Sequence, residues 1–307
     1  MMSASEFSTR ILGVYVASGG ERVSWRNGRV EVTTDGGDGD TVFSMPAGRL
    51  HSMVVAGADM TSVTGGFMRG MEDAGIPVVL ADGRFRPFAV VGGGRGYRNA
   101  VVAGQFSGSA ELESYRAGEA VRTIRGKMSG QLAVLRDFGV GRDGAWTSPS
   151  IERAAANVGE MLSRIDEVRN MDDLRGLEGA ASRAYFGCFG DVLGFPGWRG
   201  RFQRLCPDIP NLLLDVGYHI LTNVATCTAK LAGLDPHVGF MHTLFHTRCS
   251  LSCDVVEPFR HRVDRVVAGM FREGLVDPSD FTVGGDGRVA FSRGKSRRYV
   301  SKFVEIV

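Results

Sequence analysis

Between Gly233 and Arg260 the chain reads GLDPHVGFMHTLFHTRCSLSCDVVEPFR, and no other stretch gathers as many side chains able to bind metal or phosphate. His242, His246, Cys249, Cys253, Asp254, Glu257 and Arg260 interrupt an otherwise apolar run. Two chemistries compete for them. The histidines are four apart and so are the cysteines, which spells H-x3-H-x2-C-x3-C and suggests zinc. Structural zinc sites, however, draw ligand pairs from two elements joined by a turn, and here all four candidates fall in one short span. Asp254 and Glu257 are three apart, so a helix places both carboxylates on one face, where they repel unless a cation lies between them. Carboxylate oxygens with one imidazole suit magnesium or manganese better than zinc. On that basis His242 and Glu257, with Asp254 beside them, are part of a divalent-metal centre suited to phosphodiester chemistry, and the cysteines are small buried hydrophobes. Pro258 kinks the helix or opens the next one, leaving Phe259 to pack and Arg260 to meet a phosphate or a carboxylate.

A second segment, MDDLRGLEGAASRAYFGCFG from Met171 to Gly190, sets a carboxylate in a helical pattern. Asp172 or Asp173 can cap its start, and Leu174, Leu177, Ala181, Ala184 and Cys188 make one apolar stripe. Glu178, Ser182, Tyr185 and Phe189 fall on the neighbouring face. A carboxylate sharing a face with two aromatic rings is partly buried and needs an arginine, a proton or a metal ion. An ion pair with Arg175 or Arg183 and a metal ion both remain open for Glu178.

The elements that must position these groups divide the chain in two. Residues 1–97 read as a small β-rich domain of short Val- and aromatic-rich runs, with Asn27-Gly28 in WRNGRVEV as a hairpin turn. Thr64 to Ala74 is helical, and PVVLA and PFAVV are strands. Gly92, Gly93, Gly94 and Gly96 follow a strand, but Tyr97 stands where a dinucleotide fingerprint needs its third glycine, so the cluster reads as a hinge. Residues 98–307 form a larger all-α domain, giving an α+β fold. Ala110 to Arg136 is an amphipathic helix with Val121, Ile124, Met128, Leu132 and Leu135 inward and Arg116, Arg122, Arg125 and Lys127 elsewhere. Ile151 to Val168 and the apolar Asn211 to Ala232 are further helices; His219 and Cys227 in the latter are packed core residues. FTVGGDGRVAF reads as a hairpin before a basic tail of Arg293, Lys295, Arg297, Arg298 and Lys302, for which solvated disorder is an equal reading.

The chain of 307 residues carries 36 Lys and Arg against 34 Asp and Glu, so a nucleic-acid surface requires local clustering rather than bulk charge. Five unevenly placed cysteines and an N-terminus without an apolar signal core point to the cytoplasm, and no apolar run is long enough for a membrane span.

The separated motifs LEGAASRAYFG, DVGYHILTNV, GLDPHVGFMH and SLSCDVVEPFR occur in the order and at the intervals found in the first of the CRISPR-associated (Cas) proteins, the spacer-acquisition integrase family, which the chain resembles. IRGKMSGQLAVL and GIPVVLAD extend the resemblance more weakly, so that it covers nearly the whole chain. It implies Glu178, His242 and Glu257 as ligands of Mg2+ or Mn2+, with Asp254 as a supporting acid. It implies a β-rich N-terminal half that forms a homodimer and a helical catalytic half. It also implies endonuclease and integrase activity on double-stranded DNA, prespacer and repeat target, with the small ferredoxin-like second Cas adaptation protein as partner. Arg125, Lys127, Arg183, Tyr185, Arg260, Arg297 and Arg298 are the candidate DNA contacts. Asp215 departs from the family's common asparagine. A mobile-element integrase built on the same helical core, and a zinc-containing DNA-binding scaffold without catalysis, are the alternatives.

Overall fold

Short β-branched runs punctuated by Gly, Asn and Asp become strands, and the apolar three- and four-residue spacings become helices. The computed structural model describes residues 9–17, 19–34, 40–92, 99–107, 110–202, 206–242 and 248–306. The chain has an N-terminal β-sheet region followed by a mainly helical C-terminal region. By compactness it divides into two units, Met1–Ser107 with His219–Cys253, and Gly108–Tyr218 with Asp254–Val307. The sequence had drawn one boundary, at residue 97.

The first unit contains β1 (Ile11–Val16), β2 (Glu21–Arg26), β3 (Arg29–Thr34), β4 (Thr41–Pro46), β5 (Leu50–Ala56), β6 (Ser62–Val63), α1 (Gly65–Asp73), β7 (Val78–Ala81), β8 (Pro87–Val91) and α2 (Asn99–Gln105). They form two four-stranded sheets, β1-β5-β7-β8 and β4-β3-β2-β6. Asn27 and Gly28 both take positive φ, 49° and 73°, and close the β2–β3 hairpin with Arg26 opposite Arg29. That backbone matches the right-handed strand twist, which is why Asn-Gly announces the turn. Val23, Val30 and Val32 of one sheet share a core with Met53, Val55 and Val78 of the other. Phe67 and Met71 of α1 complete it, and Thr64 caps that helix by accepting from the Phe67 N–H at 3.1 Å. Cys227 is buried beside Val54 and Val79, as a small hydrophobe. Gly92 ends β8 at φ 81°; Gly93, Gly94, Gly96 and Tyr97 lie outside the described residues.

Along the rest of the chain come α3 (Ala110–Gly139), α4 (Pro149–Ser163), α5 (Met171–Gly187), α6 (Phe189–Leu193), α7 (Ile209–Leu231), α8 (Ser250–Val256) and α9 (Arg260–Arg272). A hairpin of β9 (Phe281–Val283) and β10 (Val289–Phe291) and a last helix α10 (Arg297–Val304) follow. The hairpin is the exception to an all-α second half. On α3, Ile124, Met128 and Leu135 are fully buried, while Val121 and Leu132 are half-buried at the edge of the stripe. The tail is folded rather than disordered. Tyr299, Val300 and Phe303 are buried, the Tyr299 hydroxyl donates to Asp280 at 2.9 Å, and Lys295 and Arg298 pair with the same carboxylate at 3.2 and 3.0 Å. Among the described residues no helix is long and apolar enough to cross a membrane.

Candidate active site

Three elements of the second unit bring the central groups together. Asn170, not Asp172 or Asp173, caps α5, accepting from both their backbone N–H groups at 2.9 Å. The buried stripe of that helix is Leu174, Ala181 and Tyr185, which leaves Glu178 and Ser182 on its flank. Helix α8 stops at Val256 and a 3-10 turn, Glu257–Phe259, intervenes before α9, because Pro258 has no N–H to donate and its ring collides with the preceding turn. Glu257 is 5% exposed in that turn. Helix α3 approaches it through glycines: a Cβ on Gly126 would stand 2.8 Å from the Pro258 Cβ.

Lys127, beside Gly126, places its ammonium between the two glutamates. Its Nζ lies 2.5 Å from Glu178 Oε1 and 2.8 Å from Glu257 Oε2. Ser182 Oγ donates to the same oxygen of Glu178 at 2.9 Å, and the Arg260 guanidinium stands 3.0 Å from Glu257 Oε1. Arg175 and Arg183, the arginines considered for Glu178, do not fill this role: Arg175 pairs with Asp172, and Arg183 is exposed at the edge of the adjoining cleft. Lys127, a candidate for the DNA track, is held by carboxylates in this structure, since a nearly buried ammonium requires anionic partners. Two carboxylates converging on one cation are the donor set that a hard divalent ion takes, so the residues fit magnesium or manganese.

The floor of the same cleft, about 480 Å³ in volume, is Asp264 of α9. It is 2% exposed and accepts from the Tyr185 hydroxyl at 2.9 Å and from the Tyr218 hydroxyl. Burial pushes its carboxyl up to about 6, against the pull of these hydrogen bonds and of Arg201 and Arg260. Burial likewise holds both phenols well above their ordinary range. Tyr185 is therefore not a DNA contact: its ring is wholly buried and its hydroxyl is committed to Asp264. The Arg260 and Arg201 guanidiniums lie over the Tyr218 ring, 4.9 and 5.5 Å from its centroid, and Arg201 also pairs with Asp215. Asp264, Arg201 and Tyr218 were not singled out from sequence. Asp264 stands among charged neighbours in HRVDRVV, which hide it, and the tyrosines that donate to it lie on other helices.

Asp254 is completely buried in α8. His242 is half-buried and belongs to the first unit, whereas His246 lies outside the described residues. Cys249 is buried, its thiol pushed up by that burial, and its Sγ lies 3.8 Å from Nε2 of His237, whose Nδ1 is 3.0 Å from Asp235. Among the described residues no group of three or more His, Cys, Asp or Glu side chains is arranged to hold a metal ion. Of the remaining basic candidates, Arg125 pairs with Asp166 on the surface, whereas Arg298 pairs with the buried carboxylate of Asp280. An exposed pair such as Arg125–Asp166 contributes about 0–1 kcal/mol. Arg297 is exposed on α10.

A family model described as CRISPR associated protein Cas1 matches residues 14–305. The chain belongs to the Cas1 family. A CRISPR-associated endonuclease Cas1 of Thermus thermophilus is 38% identical over 152 residues, 49% of this chain and 48% of that protein. One of Rhodospirillum rubrum is 32% identical over 263 residues, 80% of this chain and 72% of the other. The chain thus spans about half the length of the Thermus relative it matches. Among solved structures, a Cas1 protein from Thermotoga maritima shares the fold at TM-score 0.77 and 16% identity, covering 96% of this chain and 89% of that one. A casposase bound to integration product does so at 0.75 and 17%, covering 96% and 82%.

Proposed function

We propose that this Cas1 family member is a divalent-metal-dependent DNA endonuclease and integrase of CRISPR adaptation. The observation that carries the reading is the convergence of Glu178 and Glu257 on one cation position at the edge of an arginine-lined cleft. Glu178 and Glu257 hold the ion, His242 joins them on the strength of the GFMH motif, and Asp254 supports the set. A magnesium or manganese ion there supplies Lewis-acid polarisation of a scissile phosphate and stabilises its extra charge in the transition state.

The chain's own residues do the rest. Arg260, braced between Glu257 and the Tyr218 ring, presents a guanidinium to a phosphate oxygen, and exposed Arg183 extends the track. A DNA 3′-hydroxyl positioned in line attacks phosphorus. The new ester bond forms as the bond to the target strand's 3′ oxygen breaks, so one diester replaces another and a 3′-hydroxyl is released. With water in place of that hydroxyl the outcome is cleavage. Arg125, Arg297 and Arg298 contact the backbone further out, which gives affinity rather than sequence preference.

The β-rich N-terminal domain, residues 1–97, is the proposed homodimer surface, and residues 98–307 the catalytic domain. The small second Cas adaptation protein is the proposed partner; about a third of one chain in a solved Cas6-RT-Cas1–Cas2 complex shares the fold at TM-score 0.76 and 22% identity, covering 95% of this chain and 32% of that one. The likeness to a casposase supports a second reading, the same strand transfer in a mobile element. The test is a strand-transfer assay with a 3′-hydroxyl duplex and a repeat-containing target. Joined product is expected with Mn2+ or Mg2+ and none with Glu178→Ala; full activity in that variant would remove the site assignment. Equal joining into targets lacking the repeat favours the mobile-element reading.

A further inference from the structure

Lys127 carries the inference, because the metal reading leaves its position unexplained. Its side chain is 13% exposed, and its ammonium stands within 2.8 Å of oxygens from both glutamates. Around that point the formal charges of Glu178, Glu257, Lys127 and Arg260 cancel. A divalent ion entering between the same two carboxylates meets the ammonium at close range, and like charges in a partly buried site repel strongly. The charge of the carboxylate pair is thus already balanced by cations of the chain's own. Lysine is suited to yielding, since its charge sits at the end of a flexible four-carbon stem. It yields when a second anion offers it a partner, and the cleft that Lys127 lines with Arg183, Arg201 and Arg260 is shaped for one.

We propose that Lys127 is a resident counter-ion of the Glu178–Glu257 pair that gives way when a DNA phosphate enters, so that divalent-ion binding and DNA binding depend on one another. This rests on the reading of that pair as metal ligands. The phosphate supplies the negative charge that the ion needs and draws the ammonium off the glutamates. Coupling of this kind is reciprocal: DNA tightens the ion by the factor by which the ion tightens DNA. Its use is to keep a nuclease centre empty of its ion until a substrate is seated.

The test is made on the full chain with Mn2+ as probe. Free Mn2+ is followed by electron paramagnetic resonance without DNA, and affinity for a labelled duplex by anisotropy in Mn2+ and in EDTA. Lys127→Met is expected to bind Mn2+ without DNA about tenfold more tightly than the wild type, as loss of one adjacent positive charge predicts. Its Mn2+-dependent gain in DNA affinity is also expected to be smaller than that of the wild type, because only the direct attraction between ion and phosphate remains, whereas Lys127→Arg keeps the full gain. Should the methionine variant not fold, Lys127→Gln, which keeps a hydrogen-bond donor, takes its place in the same measurements. Unchanged Mn2+ affinity in the charge-free variant, with Glu178→Gln abolishing Mn2+ binding, overturns the counter-ion role and leaves the metal site standing. Wild-type Mn2+ binding by Glu178→Gln overturns both.

Discussion

A Cβ on Gly130 of α3 would lie 2.2 Å from Nδ1 of the His261 ring, closer than any side chain tolerates. The ring is fixed, since Nδ1–H donates to the Pro258 carbonyl at 2.9 Å. Gly126 and Gly130 therefore let α3 reach the turn that carries Glu257, and with it bring Lys127 to the carboxylates. Gly130→Ala is expected to cost about 1–3 kcal/mol through overpacking. Gly118→Ala on the same helix, where the nearest atom is an Arg122 nitrogen at 4.0 Å, should instead stabilise by about 0.5–1 kcal/mol. Urea unfolding midpoints of the two variants, moving in opposite directions, check the geometry.

Asp264 gives the fold a pH dependence of defined sign. Its carboxyl titrates near 6 when folded, above its ordinary 3.8, chiefly because it is buried. Between those values the native state holds a proton that the unfolded chain releases. The group's favourable contribution is thus complete below pH 3.8 and lost as pH rises through about 6. Asp264→Asn, uncharged throughout, should gain stability relative to the wild type across that window, on the order of a few kcal/mol. Thermal midpoints of both proteins from pH 4 to 7 measure the difference; a constant gap contradicts it.

Cys249 and Cys253 are expected to be dispensable for catalysis. Burial keeps the Cys249 thiol protonated, which disfavours it as a metal ligand. The double alanine variant should retain Mn2+-dependent strand transfer within about threefold, with stability reduced by the small cavities left behind. Joint loss of bound zinc and of activity would contradict this and make the cysteines ligands of a zinc on which the fold depends.

Much of the fold was legible because it is written locally. WRNGRVEV announced its hairpin through positive-φ residues, and Thr64 to Ala74 its helix, whose side-chain cap at Thr64 the structure adds. The tail was less so: FTVGGDGRVAF showed its hairpin, but the burial of Tyr299 and Phe303 and the pairing of Asp280 with Lys295 and Arg298 are tertiary facts. Glu178 and Glu257 stood out as carboxylates needing a cation. That the cation is Lys127 depends on α3 packing against the Pro258 turn, a contact between distant segments. Tyr185 was misplaced for a similar reason. Its helical position suits either flank, and only the buried Asp264 on α9 draws its hydroxyl inward.

The central claim is that Glu178 and Glu257 are metal ligands held in reserve by Lys127. Crystals of the full chain with a 3′-hydroxyl duplex, grown in Mn2+ and measured at the manganese absorption edge, test it most directly. The account predicts an anomalous peak within coordination distance of both carboxylates, with the Lys127 ammonium moved from between them onto a DNA phosphate. A peak elsewhere, with Lys127 still bridging Glu178 and Glu257, would contradict it.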